Sequence, residues 1–338
     1  MVPRATPPTV DVVGTRGYRR AMGELASEPT AYRVSGRDRL EHGVSRGCRG
    51  LPDPLLRPFV HSYSGYLLCG FAPGIHVGMP ATTLTVIITI DEPIAVPVSS
   101  QPGQPGGTWD ALASGLTIHP ATIAHRGYQH GIQLALTPLG SRALFGAPTA
   151  ELGSWLVDLG DLLGPRVRDM RERLAATPNW PGRFAILDEV LLGAVRQAQI
   201  EAGLAQAWRM LTAPGARVAE VADEIGWSRR HLAARFGAEF GITPKDAVRL
   251  ARFEASHRRL RVVATSPRPG ATLADVAVAS GYYDQAHMAR EWREMAGMPP
   301  SRWLALEEFP FVQDLDPELL EGGSHDRDNP DQHVRNNY

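Results

Sequence analysis

The chain has 338 residues, 43% of them hydrophobic and 21% charged, with a formal net charge of −1. Those proportions suit a water-soluble chain of about two domains, and no apolar run approaches the roughly 20 residues of a membrane-crossing helix. Two cysteines, Cys48 and Cys69, are too few for a disulfide framework. The first thirty residues lack the apolar stretch of a secretory signal, so the expected compartment is cytoplasmic, with no membrane partner.

Residues 1–50 are rich in Arg, Gly, Pro, Ser and Thr without sustained periodicity and read as a mobile leader. From about residue 55, short β-type runs follow at 82–90, 94–98, 115–119 and 131–137, separated by Pro and Gly clusters. Thr137 then stands as a helix cap before Pro138. Helical patterning continues through SRALFG, PRVRDMRERLAA and the long stretch RFAILDEVLLGAVRQAQIEAGLAQAWRML. Strands first and helices afterwards predict an α+β N-terminal domain over 51–204, a small β barrel or sandwich plus helices. TAPGAR at 212–217 breaks the helical run, and an all-α domain with two helix-turn-helix units is expected over 205–310. Beyond Phe311 the tail carries 7 acidic residues against 2 arginines, so 311–338 reads as acidic and disordered.

The last third repeats itself. VADEIGWS at 221–228 aligns with VAVASGYY at 276–283, an offset of 55, while GITP at 241–244 aligns with GMPP at 297–300, an offset of 56. The second copy therefore carries one extra residue after its turn. Val218, Val221, Ala222 and Ile225 give the first copy an apolar stripe, Gly226 permits a left-handed turn, and Ser228 caps the next helix. Leu273, Val276, Ala277, Ser280, Gly281 and Asp284 play the same parts in the second copy. The anchors Leu232 with Phe236, and Met288 with Trp292, are four apart and point inward. At 100° per residue the opposite face carries Arg230, Ala233 and Ala234 in one copy, and Ala286, Ala289, Arg290 and Arg293 in the other.

Small residues with a few long donors near a helix start suit a major-groove reader. Arg230 and Arg290 can each donate twice to a guanine edge, and Gln285 can pair with an adenine. Between Arg209 and Arg302, 15 basic residues face 10 acidic ones, a balance that fits a phosphate-facing surface.

The stretch Arg217–Trp303, through GWSRRHLAARF, GITP, GYYDQAHMAREW and the Pro299–Trp303 close, resembles the DNA-binding domain of the AraC/XylS family of bacterial transcription regulators. The resemblance implies a linking helix at about Lys245–Arg261 and recognition helices at about 228–239 and 284–295. It implies DNA contacts at Ser228, Arg229, Arg230, Ala233 and Ala234, and at Asp284, Gln285, Ala286 and Arg290. Many members carry arginine where this chain has Ala234, with Arg235 one position later. LRPFVHSYSGY and GIQLALTPLGSRALFGAP resemble the N-terminal region of a subgroup of these regulators, where such domains sense a small molecule or dimerise. The implied protein is a one-component transcription regulator, activator or repressor, that binds double-stranded DNA, with RNA polymerase as partner. A small-molecule effector within residues 55–200 and a homodimer are further expectations.

Other chemistry is weaker. His76, His119, His125 and His130 lie near the strands, but no carboxylate accompanies them at a fixed spacing, so they read as structural and no metal or other cofactor is expected. His231 and His287 flank the inward anchors and suit positioning or a phosphate contact. Cys48 and Cys69 are candidates for a methyl-accepting repair cysteine, but they lack partners that would hold a thiolate beyond Arg46 and Arg49 and read as structural thiols. No phosphate-cradling loop, catalytic triad or paired-carboxylate site is visible, and an enzyme is not expected.

Overall fold

A computed structural model describes residues 44–196, 200–265 and 271–306. The leader through residue 43 and the acidic tail at 311–338 lie outside the described residues. Their expected mobility is therefore not addressed by the fold.

Among the described residues the N-terminal half contains ten strands in two antiparallel sheets, matching the expected α+β class. In chain order the strands are β1 (Val44–Gly50), β2 (Val60–Cys69), β3 (Gly74–Gly78), β4 (Leu84–Thr89), β5 (Ile94–Val98), β6 (Gly107–Trp109), β7 (Ala111–Ser114), β8 (Ala121–His125), β9 (Gln129–Leu136) and β10 (Leu156–Asp158). One sheet has the order β1-β2-β9-β4-β7-β10 and the other β3-β8-β5-β6. Ile94, Val96 and Ile123 from the smaller sheet meet Leu112 and Leu156 from the larger, so the two face each other as an open sandwich.

Three expectations between residues 44 and 137 need correction. The leader ends early, because Val44–Gly50 pairs antiparallel with β2 from Val44↔Cys69 to Gly50↔Tyr63. Its residues are half-buried throughout, as suits an edge strand, and so leave no apolar alternation to read. GLTIH at 115–119 is not a strand: the pairing strand is Ala111–Ser114, and a Cβ on Gly115 would fall 2.0 Å from the Gly153 carbonyl oxygen. The chain there is pinned by another loop. Thr137 precedes the helical turn α1 (Pro138–Gly140), but its hydroxyl donates to the Pro58 carbonyl at 2.8 Å and makes no cap.

After α1 the chain makes a π-helical turn, Ser141–Phe145, and then α2 (Thr149–Leu152), α3 (Leu159–Leu163), α4 (Arg166–Ala176) and α5 (Trp180–Leu192). The long helical stretch expected from 183 onward stops at Leu192 and resumes in α6 (Ala202–Leu211). The break falls at Gly193, a poor helix former, and α6 straddles the expected domain boundary at 205. Asn179 caps α5 by accepting from the Gly182 amide at 2.8 Å.

Helix α5 packs on the larger sheet through groups the sequence disguises. Arg183 is 1% exposed, lies over the Trp180 ring at 4.7 Å and donates to the Leu174 carbonyl and to His130 Nε2. With Nε2 accepting, His130 carries its proton on Nδ1 and donates it to Asp91 at 2.7 Å, where the Tyr128 hydroxyl also donates. A buried guanidinium is thus linked to a carboxylate through a neutral imidazole. Gly65 admits the indole: a Cβ there would fall 2.4 Å from Trp180 Cε3. Asp188 accepts from the Tyr63 hydroxyl and the Asp53 amide, both at 2.9 Å, fixing the turn before β2.

The C-terminal half is helical: α7 (Val218–Glu224), α8 (Arg229–Phe240), α9 (Pro244–Thr265), α10 (Leu273–Ala279), α11 (Gln285–Ala296) and α12 (Pro300–Leu306). No helix among the described residues is long and apolar enough to cross a membrane.

Candidate nucleic-acid interface

The two copies of the repeat fold into the same glycine turn and capped second helix. Helix α7 ends where the Trp227 amide donates to the Ala222 carbonyl at 2.8 Å, and α10 ends where the Tyr282 amide donates to Ala277 at 3.0 Å. Gly226 and Gly281 adopt left-handed φ values of 72° and 83° in these turns, where a side chain would be strained. Ser228 Oγ then accepts from the His231 amide at 3.1 Å, and Asp284 Oδ1 from the His287 amide at 2.6 Å. Both expected N-caps are made. Gly241 and Gly297, at φ 77° and 72°, close the two recognition helices. Helix α10 adds a capping box in which Thr272 and Asp275 each accept from the other's amide.

Inward anchoring is complete. Leu232, Phe236, Met288 and Trp292 are all fully buried. Trp208 of α6 stacks on Phe236 at 5.7 Å and packs at a tilt against Phe240 at 4.8 Å, so the helix before the first unit completes its core. In the second unit Trp292 packs on Phe253, His257 and Trp303, and its indole donates to Ser256 Oγ at 2.9 Å. Burial lowers the His257 pKa to about 3, and the ring serves there as a neutral aromatic.

The outward face gathers the residues expected from the repeat. Arg229, Arg230, Ala233 and Ala234 are exposed on the first turns of α8, directly after the Ser228 cap. Gln285, Ala286 and Arg290 are exposed on α11 after the Asp284 cap, while Ala289 is half-buried and not on the open face as its angle suggested. Arg235 turns aside: its guanidinium donates to Glu201 at 2.6 and 3.2 Å.

One exposed side chain escaped the sequence reading. Tyr283 is 89% exposed on the turn before α11, beside the extra residue of the second copy. The shift from an offset of 55 to 56 marked the place, without indicating that a ring would stand free there.

Helix α9 joins the units without interruption over 22 residues. Its Arg249 donates to Glu291 at 3.0 Å and contacts Asp246 and Glu294, while Arg252 donates to the same Glu291 at 2.9 Å. This ion cluster locks α9 to the second recognition helix from behind. The N-terminal half grips the other end of the assembly: Arg142 of the π-turn makes two bonds to Glu239 of α8, at 2.6 and 2.7 Å. Thr82 donates from both amide and hydroxyl to Glu254 of α9, at 3.2 and 2.6 Å. Both grips leave the first turns of α8 open.

Two capped helices, each behind a tight glycine turn and each showing a small-residue face, are the parts of a tandem helix-turn-helix DNA-binding module. Residues 221–305 match the family described as Helix-turn-helix domain. An AraC-like transcription regulator of Streptomyces lividans is 36% identical over 83 residues, 25% of each chain, so this chain spans about a quarter of that curated relative. The C-terminal module of this chain is thus similar to the helix-turn-helix domain of that AraC-like regulator. Among solved structures, an apo variant of ToxT from Vibrio cholerae aligns at a TM-score of 0.45 and 9% identity, covering 81% of this chain and 99% of that one. A structure of wild-type ToxT with an unsaturated fatty acid bound aligns at 0.41 and 11%, covering 72% and 94%.

Proposed function

We propose that the protein is a one-component transcription regulator, whose two recognition helices enter successive major grooves of one DNA site. The observation that carries this reading is the continuous helix α9 between two units of matching internal geometry. At 1.5 Å per residue its 22 residues span about 33 Å, close to the roughly 34 Å of one DNA turn. Ser228, Arg229, Arg230, Ala233 and Ala234 form one reading face and Asp284, Gln285, Ala286 and Arg290 the other. The two capping side chains set the helix starts; the arginines and Gln285 meet base edges. Residues 51–204 form the sensing half, with any effector bound in its strand-built part, and RNA polymerase is the partner on DNA.

A single chain should protect about 20 base pairs containing two different sub-sites about 10 base pairs apart. Sites selected from random DNA supply the parent sequence. Inserting about 5 base pairs between its sub-sites turns one to the opposite face of the duplex, and affinity should fall to that of one unit alone. Affinity indifferent to insert length would overturn the two-groove reading.

The division between reading and positioning is separately measurable. Gln285→Ala and Arg290→Ala should each cost about 1–3 kcal/mol on the preferred site and relax preference at one base pair, leaving nonspecific affinity nearly intact. Competition binding against a library of single-base variants reads this directly. An equal loss on every sequence would assign both side chains to phosphates.

A further inference from the structure

The two helix-turn-helix units differ at one point of their turns. In the first, Trp227 is followed directly by the cap Ser228; in the second, Tyr283 stands between Tyr282 and the cap Asp284. Trp227 and Tyr282 are counterparts, since each ring meets the histidine of the following helix edge-on, His231 at 4.7 Å and His287 at 5.3 Å. Tyr283 is the residue without a counterpart.

Its backbone is held on both sides. Tyr282 is buried under the Arg252 guanidinium, 5.5 Å from the ring centre, and Asp284 accepts from the His287 amide at 2.6 Å. The Tyr283 amide itself faces His287 Nδ1 at 3.5 Å. The ring, 89% exposed, gives the core nothing, and its area is available only to something that docks on the turn.

The first residues of a recognition helix are those that reach base edges, and Tyr283 immediately precedes them, two positions before Gln285. A phosphate oxygen beside the Asp284 carboxylate would be repelled, which favours bases over backbone as the surface the ring meets. The major groove shows one apolar group, the C5-methyl of thymine. Tyrosine covers such a group at little entropic cost, with two side-chain torsions to fix.

We propose that Tyr283 is a specificity-determining residue that packs its ring on a thymine methyl at the edge of the second sub-site, next to the base pair that Gln285 reads. The first unit lacks this contact, so the residue inserted in the second copy makes the two sub-sites unlike. This rests on the reading of α11 as a recognition helix, and it adds a base contact made from the turn.

The test uses the full chain and a site selected from random DNA. Each thymine of both sub-sites is replaced in turn by deoxyuridine, which removes only the methyl group. At a thymine of the second sub-site, adjoining the base pair whose preference Gln285→Ala relaxes, the parent should lose affinity about fourfold, the worth of covering one methyl group. Tyr283→Ala should bind the unmodified site about fourfold more weakly or worse and should not sense deoxyuridine at that thymine. Tyr283→Phe should keep both the affinity and the discrimination. Neither substitution touches the core, so both variants should melt with the parent. Failure of the DNA-binding reading would show first and separately, as the selection of no site or the protection of one sub-site alone. With a two-part site in hand, a second sub-site without thymine at that edge, a parent that ignores deoxyuridine there, or a Tyr283→Ala variant that senses it as the parent does overturns the contact. Equal weakening of Tyr283→Phe and Tyr283→Ala on every sequence would assign the hydroxyl to a phosphate and overturns it as well.

Discussion

Trp292→Ala is expected to unfold the second helix-turn-helix unit and leave the first standing. The indole is fully buried and touches three other rings, Phe253 at 4.9 Å, Trp303 at 5.6 Å and His257 at 6.0 Å. Truncating a buried aromatic of this kind costs about 3–5 kcal/mol, through lost transfer energy and the cavity left behind. A unit of two short helices and their supports has little stability beyond that amount. Protection should shrink to the first sub-site, and the tryptophan-region circular dichroism of the second core should disappear. Trp292→Phe should retain both sub-sites, because Ser256 keeps its bond to the Phe253 carbonyl at 2.8 Å when the indole N–H is lost. Full protection by Trp292→Ala would mean that the second unit is held by α9 and the ion cluster alone.

Arg142→Ala is expected to loosen the N-terminal half from the first recognition helix. Glu239 is 6% exposed, and its carboxylate is held by the two bonds from Arg142, which in turn raise the guanidinium pKa. Removing the arginine leaves a buried carboxylate without its cation. A fully buried broken pair costs about 3–5 kcal/mol, and solvent reaching the Arg142 side chain, 33% exposed, brings the expected cost to about 2 kcal/mol. Glu239→Gln should cost less, because its amide can still accept from Arg142. Hydrogen exchange should accelerate in Thr149–Leu152 and in the last turn of α8, with the first turns of α8 unchanged. Uniform acceleration along α8 would show that Arg142 stabilises the whole helix and not the contact between halves.

The DNA-binding half was legible because its signals are local. A cap, a glycine turn and a pair of anchors four apart lie within about a dozen residues, and the second copy repeats them at a nearly fixed offset. The N-terminal half hid what depends on distant residues. Val44–Gly50 carries no apolar alternation and becomes a strand only because β2 offers an open edge. Arg183 reads as a surface residue until His130, Trp180 and Leu174 surround it. The grip on α8 joins residues 97 positions apart in sequence, and nothing near Arg142 or Glu239 marks them as partners. A separation of 34 positions likewise conceals Arg235, whose partner Glu201 lies in the segment that reads as uninterrupted helix.

The unbroken run of α9 also bears on how such a module would choose among sites in a genome. Once one unit is seated, the other is presented to DNA at an effective concentration fixed by the rod, high at one spacing and close to zero at others. Flexible tethers spread that concentration over many spacings and would reward any two half-matches lying near each other. A rod makes the two readings conditional on each other, so a lone half-match holds the protein no longer than one unit can. Discrimination then grows as the product of two modest preferences, and neither helix has to bind tightly by itself.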